Sequence, residues 1–233
     1  MTGETMALKG RAFMIMWHDI TPQGDDDYHQ WHTRQHMPER LDHAGFRRSR
    51  RGVNRGLDRQ AYFTLYEGDD LATFLADDYA QSLNFPTPWT QSIAPHFRNF
   101  LRMACEVLET GGRGVGGGLV SLRLRLPAGM DEAGAQQALA PALAAIRAMP
   151  EVTSVHLAGA RPDFSEIRTS ETELRPPMSE PPFDLVIVAE CMGLGEAKAA
   201  QGAMVAAIKA AGFASPLAQA YDVAYTLEKR DAQ

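Results

Sequence analysis

Apolar positions along the chain recur in two patterns, short runs typical of strands and longer periodic stretches typical of helices. The short runs predict eight strands, over residues 11–20, 46–54, 61–67, 97–108, 119–126, 152–160, 183–191 and 217–228. The periodic stretches predict four helices, over residues 25–45 with a kink or restart at Pro38, 71–83, 131–148 and 195–211. The first helix has acidic residues at its start and glycine at its end, as helix termini favour.

The order of these elements occurs twice. Each half reads strand–helix–strand–strand–helix–strand, which is the order of the ferredoxin-like split unit. The predicted fold class is therefore α+β, with two tandem ferredoxin-like (βαββαβ) halves packed as a pseudo-dimeric α/β barrel. Each sheet has one face without helices, and packing these faces together as eight strands buries both. The predicted division is 1–110 for the first half, 111–118 for a linker and 119–233 for the second half.

The predicted linker has the sequence GGRGVGGG, in which six of the eight residues are glycine. A glycine-rich phosphate loop is the alternative interpretation. Such a loop needs a strand before it and a helix after it, but a strand is predicted to follow residue 118. We therefore expect a flexible connection that contributes no packed element.

A second unusual segment, residues 161–182, separates two strands of the second half. It contains five prolines and many polar residues. Loops of this length act as lids or interaction arms, or are disordered. The composition favours an arm or disorder over a lid.

Bulk composition limits the class of protein. The 233 residues are 45% hydrophobic and 22% charged, as in an ordinary globular protein, with a formal charge of −6. We expect no nucleic-acid partner because there is no long basic run, and no membrane partner because no apolar run reaches about 18 residues. The beginning of the chain has no secretory pattern. Cys105 and Cys191 lie in apolar segments and are predicted to be buried free thiols, so the expected localisation is cytoplasmic.

Histidines are concentrated in one stretch. Residues 18–46 contain five of the seven: His18, His29, His32, His36 and His43. On an ideal helix most of these would share one arc with Glu39 and Arg40. The arc is either a solvated helix face or the wall of a site.

For a site, acid/base chemistry is the simplest hypothesis, because neutral imidazole exchanges protons near pH 7. The candidate catalytic residues are His32, His36 and His18. Glu39 or Asp19 would orient an imidazole. The candidate substrate-binding residues are Tyr28, His29, Trp31, Glu39 and Arg40.

Two metal hypotheses remain beside it. His32 and His36 have the four-residue spacing of a helical metal pair, with His18 or His29 as a third ligand. However, Thr33 stands where a zincin would have glutamate. Haem would need an axial histidine, such as His96, and a large apolar pocket. Neither is the preferred hypothesis, so no metal and no cofactor are predicted.

The arginines of the second predicted strand, Arg47, Arg48, Arg50 and Arg51, also have two explanations. Charged residues protect strands at the edge of a sheet. They also bind anions. We expect an edge strand.

The stretch YHQWHTRQHMPERLDHAGFRRSRRGV resembles EthD-like proteins of the dimeric α/β-barrel superfamily, in a tandem two-repeat form. The matching residues are Trp31, His32, His36, Pro38, Gly45 and Phe46. The resemblance implies a cofactor-independent lyase, isomerase or monooxygenase acting on a small, partly apolar organic molecule. It also implies an internal pseudo-dimer that can form a further homodimer. Fold alone does not determine function, so a non-catalytic ligand-binding or accessory protein and a metal- or haem-dependent enzyme remain alternatives.

Overall fold

The computed structural model describes residues 7–165, 168–178 and 180–229. The strands are β1 (Ala12–Ile20), β2 (Phe46–Val53), β3 (Tyr62–Gly68), β4 (Phe97–Gly112), β5 (Gly118–Leu124), β6 (Val152–Ala160), β7 (Leu185–Cys191) and β8 (Leu217–Glu228). The α-helices are α1 (Asp25–Trp31), α2 (Met37–Asp42), α3 (Asp77–Asn84), α4 (Pro88–Ile93), α5 (Glu132–Arg147), α6 (Ser170–Leu174) and α7 (Leu194–Ala210). A π-helical turn, His32–His36, joins α1 to α2.

Hydrogen bonding joins the eight strands in the closed order β1-β3-β2-β8-β5-β7-β6-β4. The predicted α+β class, with its eight-stranded barrel, is confirmed. The predicted helix over 71–83 is instead a 3-10 turn, Leu71–Leu75, followed by α3 after an extended Ala76. Helix α4 lies in a region predicted to be a loop.

Contacts divide the chain into two compact units. The histidine-containing unit comprises residues 9–105, 161–181 and 225–233. Within it, β3 pairs antiparallel with both β1 and β2. Helices α1 and α2 with the π-turn pack against these strands through buried aromatic and apolar side chains, Tyr28, Trp31, Met37 and Leu41 among them.

The other unit comprises residues 1–8, 106–160 and 182–224. In it β5 pairs antiparallel with β7 and β8, and β6 pairs with β7. Helices α5 and α7 cover the sheet with one continuous apolar core, which includes Leu139, Leu143, Met204 and Ile208. The units do not share the bounds of the sequence repeats, and the division into halves at 110 and 119 remains a proposal.

The glycine-rich stretch is more ordered than we predicted. Strand β4 extends to Gly112 and β5 begins at Gly118. A Cβ atom on Gly116 would lie 1.7 Å from the carbonyl oxygen of Cys191. These glycines allow backbones to approach closely, so the prediction that they build no packed element was wrong.

The arginine-rich strand is not an edge strand, because β2 lies between β3 and β8 in the closed order. Arg48 donates two hydrogen bonds of 2.9 Å to Glu67, and Arg50 lies 3.1 Å from the same carboxylate. Only Arg47 is exposed, and it pairs with Asp69. The edge prediction was wrong because a closed barrel leaves no edge to protect.

Segment 161–182 belongs to the histidine-containing unit up to Pro181, although it follows β6 in sequence. Its described residues include a 3-10 turn, Pro162–Phe164, and helix α6, so the prediction of disorder was wrong for them. Residues 166, 167 and 179 lie outside the description.

Two further predictions concern thiols and membranes. Cys105 and Cys191 are buried and free, as predicted. Across the described residues, no helix combines the length and apolar character required to cross a bilayer.

Candidate functional site

The helix that carries the histidines changes geometry where they occur. From His32 to His36 it is a π-helix, in which the Met37 N–H bonds the His32 carbonyl five residues back. Such turns often mark functional sites. The predicted restart at Pro38 is seen, because α2 begins at Met37 and places Pro38 in its first turn, where its missing N–H is tolerated.

The π-turn places His32 and His36 side by side, with ring centroids 5.7 Å apart and planes 29° apart. Both are buried, with 3% and 8% of their surface exposed, and Arg40 is 4% exposed. The interpretation as a solvated face was therefore wrong for these three residues. Half-buried positions in the arc are His29, Glu39 and His43.

A narrow cavity opens in front of these histidines, with a volume of about 40 Å³. Its aromatic wall consists of Trp31, Tyr66, Tyr79, Phe97 and Phe100. The ionisable residues that line it are His18, His32, His36, Arg40, Arg102, Glu171 and Arg175. The lining combines large apolar surfaces with a few polar groups, as small-molecule sites do. Since ligand pockets usually enclose roughly 300 Å³ or more, side chains must move to admit an aromatic molecule.

His18 lies near the end of β1 and is 3% exposed. Its Nε2 is 3.1 Å from the Tyr28 hydroxyl, and its ring packs against Phe97, with centroids 4.8 Å apart. The Nδ1 atom is buried without a hydrogen-bond partner in the described structure. Burial lowers the pKa of His18 to about 3, so the ring is neutral at physiological pH.

His32 is held from both sides. Its Nε2 is 3.2 Å from the Tyr66 hydroxyl, and its Nδ1 is 3.4 Å from the guanidinium of Arg51. Because a guanidinium only donates, Nδ1 accepts and Nε2 carries the proton. Burial, followed by the Arg51 charge, holds the pKa of His32 well below its usual value. With both nitrogens occupied, His32 is suited to positioning its neighbours.

His36 is the less restrained of the pair. Its ring stacks on Trp31 with centroids 4.1 Å apart, and its Nδ1 is buried without a hydrogen-bond partner among the described residues. Burial and the nearby Arg40 charge hold the pKa of His36 well below its usual value. Thus two neutral imidazoles, His18 and His36, each retain an unbonded nitrogen at one cavity.

Segment 161–182 supplies part of the cavity wall. Glu171 of α6 accepts a 2.6 Å hydrogen bond from Arg40, and both side chains are buried. Arg175 lies over the ring of Phe100, 4.2 Å from its centroid.

Several predicted site residues lie outside the cavity. Tyr28 lies behind it, stacked on His32. His29 bonds the Tyr62 hydroxyl at 3.2 Å, away from the cavity lining. Glu39 lines a separate surface groove beside His43.

Neither predicted orienting carboxylate reaches a histidine. The Asp19 carboxylate instead accepts from the backbone N–H groups of Gln60 and Ala61, at 2.7 Å each. Across the described chain, no three His, Cys, Asp or Glu residues are grouped as metal ligands. The two-histidine pair of the metal hypothesis thus lacks the third ligand it requires.

Sequence reasoning missed most of this aromatic and ionisable lining: Tyr66, Tyr79, Phe97, Phe100, Arg102, Glu171 and Arg175. Arg102 had a signal, since it is a charged residue inside the apolar run of β4. Glu171 and Arg175 had none, because they lie more than 130 residues from the π-turn in a segment of polar composition.

No family model matches the chain, and no curated protein matches it in sequence. Solved structures do match. A protein named as anthrone oxidase-like has a TM-score of 0.63 at 14% identity, over 97% of this chain and 96% of its own. A protein from Fusobacterium nucleatum, provisionally named a monooxygenase, has a TM-score of 0.60 at 9% identity, over 95% and 96%.

A third match, provisionally named a chlorite dismutase, has a TM-score of 0.52 at 6% identity, over 93% of this chain and 96% of its own. At such identities these likenesses show the fold alone, an α+β fold with an eight-stranded barrel. The predicted fold class is thereby confirmed, and the EthD-like resemblance stays a prediction.

Proposed function

We propose that this protein is a cofactor-independent enzyme of the monooxygenase type, acting on a small, flat, partly apolar organic molecule. The observation that carries the proposal is the pair His18 and His36, two neutral imidazoles with unbonded Nδ1 atoms at one aromatic cavity. His32 would position Tyr66 and Arg51. We also propose that the chain is an EthD-like tandem form located in the cytoplasm and able to pair with a second copy.

The first step would be removal of a proton from a carbon or hydroxyl group of the substrate. An imidazole in this cavity is a weak base while the site is empty, because burial disfavours the imidazolium. Proton transfer from a bound substrate leaves an anion beside the imidazolium. The two charges then stabilise each other in a water-poor site.

The resulting anion has three outcomes, which correspond to the three reaction types that the resemblance implies. It is reprotonated elsewhere in an isomerase, expels a leaving group in a lyase, or reacts with oxygen in a monooxygenase. The names of the two matches with the highest TM-scores given above support the third outcome. For a CH₂ group conjugated to a ketone through aromatic rings, the balance is CH₂ + O₂ → C=O + H₂O.

Anthrone is a suitable probe, since it is flat and has an acidic CH₂ group. Under anaerobic conditions in D₂O, we expect the protein to accelerate exchange of the CH₂ hydrogens. In air we expect one O₂ consumed per anthrone, and with ¹⁸O₂ one labelled oxygen in the product ketone. The test variant is His36→Phe, which removes the unbonded nitrogen, and its matched control is His43→Gln, because His43 lies outside the cavity.

The outcomes separate the alternatives. Hydrogen exchange without oxygen consumption would indicate an isomerase or a lyase instead of a monooxygenase. Binding of the probe without exchange or oxygen consumption would favour a second candidate, a ligand-binding accessory protein. One observation already supports that candidate, since His18, His32 and His36 all have pKa values lowered far from neutrality.

A further inference from the structure

The cavity has an uneven balance of charge. Four charged side chains line it, the guanidiniums of Arg40, Arg102 and Arg175 and the carboxylate of Glu171. Glu171 is bonded to Arg40. Because the cavity histidines are neutral, the described lining has an excess of two positive charges.

Neither of the two remaining guanidiniums donates a hydrogen bond to a carboxylate of the described residues. Arg102 donates to the Ser165 carbonyl at 3.1 Å and to the Tyr79 hydroxyl at 3.2 Å. Arg175 lies on the face of Phe100, and its buried Nε has no hydrogen-bond partner in the described structure. Arg175 is half-buried. A cation held away from water is costly without a directly bonded counter-ion. Burial lowers the pKa of Arg175 to about 10, although the nearby Glu171 charge acts to raise that pKa.

Arg102 and Arg175 also occupy a distinctive position. Both line the main cavity, and both line an adjoining groove with Pro176, Pro177 and Met178. The Arg175 charge is also close enough to contribute to the lowered pKa values of His18 and His36. An anion bound at Arg175 would therefore lie near both imidazoles.

From this geometry we infer that the natural ligand is an aromatic compound with an anionic oxygen, a carboxylate or phenolate, bound by Arg175 and Arg102. The inference deepens the proposed function and rests on it for the site's use as an active site. Trp31, Phe97 and Phe100 contact the ring system, and the anionic oxygen provides the counter-ion that Arg175 lacks. Segment 161–182 thus contributes a specificity-determining residue.

Equilibrium dialysis with the full protein and three probes tests the inference: 2-naphthoate, methyl 2-naphthoate and 1-nitro-2-naphthol. We expect 2-naphthoate to bind about tenfold or more tightly than its ester, because a charge-assisted hydrogen bond is lost in the ester. The nitro group lowers the pKa of the naphthol well below the usual phenol value of about 10. This probe is therefore measured below and above its own pKa while Arg175 stays charged. Tighter binding only of the ionised naphthol would identify phenolate as the source of the charge.

Arg175→Gln should reduce the preference for the anion to within about twofold, since the amide keeps polarity and loses the charge. Arg168→Gln is the matched control, because Arg168 lies in the same segment, is exposed and pairs with Glu173. Thermal melting shows whether Arg175→Gln is folded. If it is not, Arg102→Gln is the second variant to measure. A wild-type protein that binds acid, ionised naphthol and ester equally overturns the inference, as does an Arg175→Gln protein that keeps the preference.

Binding and turnover can fail separately. An anion preference without proton exchange on anthrone would remove the proposed enzyme and leave the ligand class standing. Exchange without an anion preference would support the proposed enzyme and contradict the proposed ligand class.

Discussion

Arg40 of α2 donates a 2.6 Å hydrogen bond to Glu171 of α6, although the two residues are 131 positions apart. Arg40 is 4% exposed and Glu171 8%. The pair attaches segment 161–182 to the helix that carries the histidines. It also separates the main cavity from the groove beside Glu39, since both residues line both spaces.

Glu171→Gln should destabilise the protein by about 2–4 kcal/mol, because it leaves the buried Arg40 charge without its carboxylate. The double variant Arg40→Met with Glu171→Leu should recover most of that loss, since an apolar pair leaves no buried charge. Urea unfolding measures both. The exposed pair Arg168–Glu173 is the control, and removing it should leave the unfolding midpoint unchanged. A single variant as stable as the wild type would mean that the buried pair contributes little.

His18→Phe and His36→Phe should each lower proton exchange on anthrone by about two orders of magnitude, the usual contribution of a proton-transfer group. His32→Phe should lower it by less, about tenfold, because His32 acts through Tyr66 and Arg51. Exchange rates and circular dichroism spectra measure activity and fold. Unchanged exchange in both His18→Phe and His36→Phe, with His43→Gln as the reference, would rule out the proposed base.

Stability should decrease as pH falls below about 6.5, the ordinary pKa of histidine. The unfolded chain then binds protons at His18, His32 and His36, whereas the folded protein keeps them neutral. Each contributes a slope of about 1.4 kcal/mol per pH unit, and the contribution of His18 ends near its folded pKa of about 3. Urea unfolding between about pH 8 and pH 5 measures the slope. His18→Phe should reduce the slope by one proton, and a flat profile would contradict the buried neutral state.

Gly116→Ala should cost about 1–3 kcal/mol, because the new methyl group would lie 1.7 Å from the Cys191 carbonyl oxygen unless the backbone moves. Gly202→Ala in α7 is the matched control. Nothing lies within 4 Å of its added Cβ, and alanine favours the helix by about 1 kcal/mol. Thermal melting should move in opposite directions for the two variants. Equal, small shifts in melting temperature for the two variants would support the prediction of a flexible linker.

Protein purified without chelator should contain well under one equivalent of zinc, iron, copper or manganese, and no haem absorption band. The reason is the donor set, since His32 and His36 gain no third ligand from the described residues. Elemental analysis and an absorption spectrum check this. Stoichiometric metal that resists dialysis, with loss of exchange on its removal, would replace the cofactor-independent proposal.

Local patterns in the sequence determined the elements. The eight strands and the helices α5 and α7 follow from apolar periodicity, which depends only on near neighbours along the chain. The repeated order of elements led to the fold class. The clustering of histidines in the sequence predicted a site on the helix that faces the cavity.

Only the tertiary structure decided which of those residues form a site. The sequence could not show that His32, His36 and Arg40 are buried, because burial of a helix face depends on what packs against it. It could not show that Arg48 and Arg50 share Glu67, because that pairing requires the strand register. Glu171 and Arg175 reach the cavity through a segment distant in sequence, and no local pattern encodes a contact between an arginine and a carboxylate 131 residues away.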